Sequence, residues 1–149
     1  MKNRWFSFWN KNLIQKYRID FHSVKTDMHS HLIPMVDDGV RSIEDSYLIL
    51  KFLKDIGYKR IYTSPHISES YPNTKQDLEK AIEILKSEDR IKDLELEIGL
   101  IAEYQLDESF EKLILKDELL TMPEKRILVE TSMNYEFPFV NEYLYRLQQ

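Results

Sequence analysis

From about residue 24 the chain switches repeatedly between two periods of apolar residues. Residues 24–31 form a first candidate strand that ends on polar groups. In residues 43–56, Ile43, Tyr47, Leu50 and Leu53 recur at helical spacing and give one apolar stripe. Ser42 with Asp45 three positions on resembles a capping box, and Gly57 stands where a helix C-cap belongs. A second strand, "RIYTSPH", covers residues 60–66, with Pro65 suited to a strand terminus and not to a centre. After the loop "ISESYPN" a helix is expected over residues 74–86, where Leu78, Ala81, Ile82 and Leu85 share a face. A third strand over residues 94–103 starts with alternating acids and closes on the continuous apolar run "GLIA". A short helix holds Phe110, Leu113 and Ile114, and a fourth strand, "RILVET", covers residues 126–131. Residues 141–149 read as the opening of another helix. Alternation of helices with buried strands predicts a parallel α/β architecture, either barrel or open sheet.

Composition narrows the chemistry. A chain of 149 residues is the size of one domain. It has no cysteine, which excludes disulfides, thiolate metal sites and a cysteine nucleophile together. No apolar run approaches the roughly 20 residues that a membrane helix needs. Asn10, Lys11, Asn12 and Gln15 interrupt the N-terminal apolar residues and argue against a signal peptide, so a cytoplasmic location is expected. Residues 1–25 hold six Lys/Arg and one acid; with a whole-chain charge of −5, that leaves −10 for the rest. Such an acidic body is a poor match for nucleic acid, whose phosphates require a basic face.

The strand ends hold the candidate chemistry. The first expected strand delivers His29 and His31, the second His66, the third Glu103 and the fourth Glu130. In parallel α/β folds the C-terminal ends of strands form the functional rim. Residues i and i+2 of a strand point the same way, so His29 and His31 can grip one ion while Ser30 faces away. Asp27 falls on the same face and is expected to orient a histidine from behind. A lone strand-end histidine would read as an ordinary polar residue; H-x-H followed by D-D-G and three more strand-end donors reads as a metal site. Asp38-Gly39 is a turn signal, which leaves Asp37 as the ligand expected above the histidine pair and Asp38 in a supporting role. Glu103 and Glu130 each follow a run of aliphatic residues, where burial alone would not place an acid. Mixed histidine and carboxylate donors suit Zn, Mn or Fe. Such ions activate water and clamp phosphoryl oxygens, hydrolysis that needs no protein nucleophile.

The segments "DMHSHLIPMVDDG", "YTSPH", "AEYQLD" and "LVETSM", from about residue 26 to 133, resemble the PHP (polymerase and histidinol phosphatase) family. Their order, spacing and context are most similar to its branch of bacterial protein-tyrosine phosphatases from capsule and exopolysaccharide operons. The resemblance implies a distorted (β/α)7 barrel of which residues 25–149 supply four βα units, with two or three divalent ions (Mn, Fe or Zn) at the rim. It implies that His29, His31 and Glu103 help hold one ion and that Glu103 bridges to a second, also bound by Glu130. Asp37 and His66 belong to a third. It also implies attack on phosphotyrosine by a metal-bridging hydroxide, with no other catalytic group. The implied partner is a bacterial tyrosine kinase that regulates polysaccharide export.

The family's later segments, an H-P-E-R-like stretch and a final D-x-H, are not found before Gln149. The resemblance therefore makes this a truncated chain or fragment with each ion short of a ligand, an exposed strand edge and impaired activity. Residues 1–24 read as a basic aromatic extension. Trp5, Phe8, Trp9, Leu13 and Tyr17 would share one face of a helix, and residues 1–18 could lie on an anionic membrane. Packing of this short extension on the domain body, or a disordered terminus, is the plainer expectation. Two other functions stay open at this stage: a phosphoesterase for a small ester such as histidinol phosphate, and a non-catalytic remnant that binds a partner.

Overall fold

The structure, a computed structural model, describes residues 23–116, 118–131 and 140–148. The strands among them are β1 (Thr26–Ser30), β2 (Arg60–Thr63), β3 (His66–Ile67), β4 (Glu97–Leu100), β5 (Glu103–Gln105) and β6 (Leu128–Glu130). The helices are α1 (Ile43–Asp55), α2 (Lys75–Ser87), α3 (Asp89–Lys92), α4 (Glu108–Lys116) and α5 (Val140–Leu147), with a 3-10 turn at Pro123–Lys125. The basic aromatic extension and the membrane contact considered for it lie outside the described residues, apart from Ser23 and Val24.

The strands form two parallel sheets, β1-β2-β4 and β3-β5-β6. The same two chain segments stay paired across the break between the sheets: Ile101 N–H donates to Thr63 O at the end of the first sheet and Glu103 N–H to Pro65 O at the start of the second, both at 3.0 Å. The expected strands over residues 60–66 and 94–103 are therefore each two short strands. Pro65 has no N–H to give to a ladder, and β2 stops before it. Residues 94–96 fall outside the third strand, because the chain leaving α3 turns through Glu95 at a φ of 53°. The breaks matter for the site. His66 and Glu103 do not close long strands. They open β3 and β5, where they are register partners.

Local chemistry sets the helix limits. The Ser42 hydroxyl accepts from Asp45 N–H at 3.1 Å, and the Thr74 hydroxyl accepts from Asp77 N–H at 3.2 Å. Gly57 ends the first helix at a φ of 113°, a conformation open to glycine at little cost. The buried sides of α1 and α2 then cover the sheets. Leu50 and Leu85 join Leu32, Val40 and Ile61 in one core, and Leu78 joins Ile67, Tyr104 and Phe110 in a second. Leu50, Leu78 and Leu85 have no exposed surface; each such side chain contributes roughly 1.5–3 kcal/mol. Among the described residues no helix is long and apolar enough to cross a membrane.

Candidate metal centre

The segment holding His29 and His31 is fixed by hydroxyls as much as by a ladder. The register of β1 on β2 shifts between Asp27 and Ser30. At the shift Thr63 Oγ1 donates to Ser30 O at 3.0 Å and accepts from Leu32 N–H at 2.9 Å. Ser30 N–H donates to Ser64 Oγ at 3.2 Å. Leu32 and Ile33 then drop into the core with 2% and 1% of their surfaces exposed, so the backbone after His31 cannot drift.

Both imidazoles meet one carboxylate. His29 Nε2 is 3.0 Å and His31 Nε2 is 3.1 Å from Oε2 of the buried Glu103. His66 stands on the other side, with Nδ1 3.5 Å from that same oxygen and 3.4 Å from Glu130 Oε1. Its Nε2 lies 3.6 Å from Asp38 Oδ1. The His66 ring is held between His31, at 4.6 Å between centroids, and Tyr71, stacked at 5.5 Å and 14°. Three groups of donor atoms result: His29, His31 and Glu103; His31, Asp38 and His66; His66, Glu103 and Glu130. Within each, the donors lie within 4.8 Å of one another.

The two aspartates stand in places opposite to those expected. Asp37, expected to be a ligand, lies behind His31 with no side-chain exposure. Its Oδ2 accepts from His31 Nδ1 at 2.8 Å and from His66 N–H at 3.0 Å, and its Oδ1 accepts from Gly39 N–H at 2.9 Å. Asp38, expected to support the turn, is the one whose carboxylate reaches the donor cluster. The tight turn at Gly39 enforces this: a Cβ there would lie 2.5 Å from His31 Cβ. Asp27 also departs from expectation. Its buried Oδ2 has no hydrogen-bond partner among the described residues.

Electrostatics favour charge on the His31–Asp37 pair. Burial opposes an imidazolium at His31, but the hydrogen bond and charge of Asp37, with Glu103 and Asp38 adding, hold its pKa above the ordinary value. Burial likewise opposes the Asp37 carboxylate, but hydrogen bonds from His31 and from the Gly39 and His66 amides hold its pKa below the ordinary value.

The donor set fits a cation. With Asp37 ionised, His31 carries its proton on Nδ1 when neutral. Its Nε2 lone pair then faces the Glu103 carboxylate 3.1 Å away. Either a second proton or a cation relieves that opposition. His66 Nδ1 is buried and without a hydrogen-bond partner among the described residues, with carboxylate oxygens of Glu103 and Glu130 3.5 and 3.4 Å away, a set of N and O donors open to a cation. Mixed N/O donors of this kind suit Zn, Mn or Fe.

Sequence reasoning missed Thr63, Ser64 and Tyr71. The hydroxyl pair directly before Pro65 was the available signal, since a strand that must break needs side chains to satisfy its neighbours' backbone. Tyr71 gave no signal within its loop.

Fold and site together define a parallel α/β protein with a histidine–carboxylate cluster of metal-ligand type. The family model described as "Capsular polysaccharide synthesis, CpsB/CapC" matches residues 25–149, and the chain belongs to that family. A relative from Staphylococcus aureus, "Putative tyrosine-protein phosphatase CapC", is 27% identical over 124 residues, covering 82% of this chain and 49% of the relative. A solved structure is also similar, with a TM-score of 0.73 and 25% identity over 83% of this chain and 51% of the other. It comes from a study of YwqE of Bacillus subtilis and CpsB of Streptococcus pneumoniae, described as unique metal-dependent tyrosine phosphatases. The chain spans about half the length of these relatives.

Proposed function

We propose that residues 25–149 form a metal-holding part of a metal-dependent protein-tyrosine phosphatase, built as four βα units of a distorted (β/α)7 PHP barrel. Two or three divalent ions are its cofactors. His29, His31 and Glu103 would hold one, Glu103, Glu130 and His66 a second, and His31, Asp38 and His66 a third. Asp37 orients and does not ligate. When bound, such ions make water a usable nucleophile near neutral pH and neutralise charge on a phosphoryl group. The chain's own residues then have defined tasks. Asp37 fixes the tautomer and direction of His31, as carboxylates behind metal-binding histidines do. Thr63 and Ser64 fix the backbone between the two N-terminal histidines. Glu103, buried and common to two of the donor groups, would be shared between the two sites. The substrate is phosphotyrosine in a protein, and the partner is a bacterial tyrosine kinase that governs polysaccharide export.

The observation that carries this reading is Glu103 Oε2, which three imidazoles from two separate chain segments approach within 3.5 Å. The test is elemental analysis of untagged protein purified without added metal, alongside phosphate release from a phosphotyrosine peptide with and without a chelator. Bound Mn, Fe or Zn that disappears in His29→Ala/His31→Ala, with chelator-sensitive phosphate release, supports it. A chain that takes up no ion even when Mn²⁺ or Zn²⁺ is supplied overturns it.

A further inference from the structure

The third donor group draws on two different segments. Asp38 belongs to the loop between β1 and α1, and His66 opens β3, ahead of the loop that leads into α2. Neither a strand ladder nor the core holds these two together. The Asp38 side chain is 66% exposed, and its contact with His66 is 3.6 Å long. Asp37, adjacent to Asp38, ties that loop to the His66 N–H at 3.0 Å, and a second side chain bridges the two segments from the far side of His66.

Asn73 occupies that position. Its Nδ2 donates to Val36 O, two residues before Asp38, at 2.9 Å. The same amide donates to His66 O at 2.9 Å. One planar NH2 group with two protons thus ties both segments at a fixed spacing. His66 is gripped at both ends of its backbone by side chains: its N–H by Asp37 at 3.0 Å, its C=O by Asn73. Asn73 is itself anchored. Its N–H donates to Tyr71 O at 2.7 Å, bracing the residue whose ring stacks on His66. It also directly precedes Thr74, the N-cap of α2. The clamp is therefore built on a rigid helix start, not on a free loop.

We propose that Asn73 is a positioning residue for the proposed third ion, holding Asp38 and His66 at the separation at which they and His31 bind one divalent cation. This rests on the metal reading above. Asn73 touches neither ion nor substrate; it acts through the carbonyls of Val36 and His66. Supporting groups around metal ligands commonly change affinity by about 10–100-fold when removed.

The test uses the full chain and a Co²⁺ titration followed by calorimetry and visible absorption, with thermal unfolding of each metal-free protein. Asn73→Ala is expected to weaken the event lost in Asp38→Asn by about tenfold or more and to alter its absorption band. The event lost in His29→Ala should stay within about twofold. In the Asn73→Ala/Asp38→Asn double variant, loss of Asn73 should have no further effect, since the group it positions is already broken. Asn73→Asp, which keeps the shape but replaces the two donors with a carboxylate oxygen facing carbonyls, should behave like Asn73→Ala. A folded Asn73→Ala that binds Co²⁺ with wild-type affinity and spectrum overturns the proposal, as do additive losses in the double variant. If Asn73→Ala unfolds, Asn73→Ser and Asn73→Asp decide on the same criteria. A wild-type chain that binds no Co²⁺ overturns the metal reading and this role with it, whereas equal binding by wild type and variants overturns only the role of Asn73.

Discussion

His31 Nδ1 lies 2.8 Å from Asp37 Oδ2. The same oxygen accepts the His66 N–H at 3.0 Å, so one buried carboxylate aligns two histidines from different parts of the chain. The pair also explains why two adjacent aspartates do different work. The turn that brings Gly39 N–H onto Asp37 Oδ1 points Asp37 inward and leaves Asp38 facing the donor cluster.

Asp37→Ala and Asp38→Asn should therefore separate cleanly. Asp37→Ala strands the His66 and Gly39 amides and the His31 ring. We expect a loss of at least about 2 kcal/mol in denaturant unfolding, since a buried group left unpaired costs about 1–3 kcal/mol. Asp38 is exposed, and Asp38→Asn should change stability by no more than about 0.5 kcal/mol. Both should weaken metal uptake, measured by titration calorimetry. Equal stability losses in the two variants would contradict the division of labour.

Gly39→Ala tests the turn. The new methyl would meet His31 Cβ at 2.5 Å and His31 O at 2.6 Å, both fixed by core packing of Leu32 and Ile33. Overpacking of this kind costs about 1–3 kcal/mol. Unfolding midpoints should fall accordingly, and metal affinity should fall as His31 is displaced. A variant of unchanged stability and affinity would mean that the loop relaxes freely.

Thr63→Val tests the hydroxyl clamp at the register shift. The valine keeps the shape but leaves Leu32 N–H without its acceptor and Ser30 O without the Thr63 donor. The expected cost is about 1–3 kcal/mol. Because His29 and His31 flank this point, metal affinity should drop as well. Stability loss with unchanged affinity would show that the two histidines are set by Glu103 alone.

Much of this was legible in the sequence where a local rule applied. Ser42, Thr74 and Gly57 mark helix limits through side-chain and backbone demands that act within a few residues. The candidate donors were also visible: His29 and His31 as an H-x-H at a strand end, His66 at the end of the second expected strand, and Glu103 and Glu130 as acids after aliphatic runs. What the sequence hid depends on contacts between distant segments. The breaks after Thr63 and Leu100 turn "strand end" into "strand start" for His66 and Glu103. The choice between Asp37 and Asp38 depends on which way one turn faces, and no spacing rule encodes that. Asn73 reads as a loop residue before a helix cap until Val36 and His66 are seen on either side of it.

Tyr104 offers a test of the fold that leaves the metal donors untouched. It is fully buried, and its phenol oxygen accepts from Leu120 N–H at 2.6 Å. Burial drives its pKa from 10.0 up to about 12, with the Leu120 amide pulling partly back. The sign follows: the folded state keeps this proton more tightly than the unfolded chain. The contribution is therefore fully present below pH 10 and is lost as pH rises toward about 12. Tyr104→Phe should remove that alkaline slope relative to wild type and, at pH 8, should cost about 1–3 kcal/mol because Leu120 N–H loses its acceptor. Denaturant midpoints measured for both proteins across this range, in chelator, give the comparison. If the two curves stay parallel from pH 9 to 12, Tyr104 ionises as readily folded as unfolded, and the burial that shapes the second core is not what holds its proton.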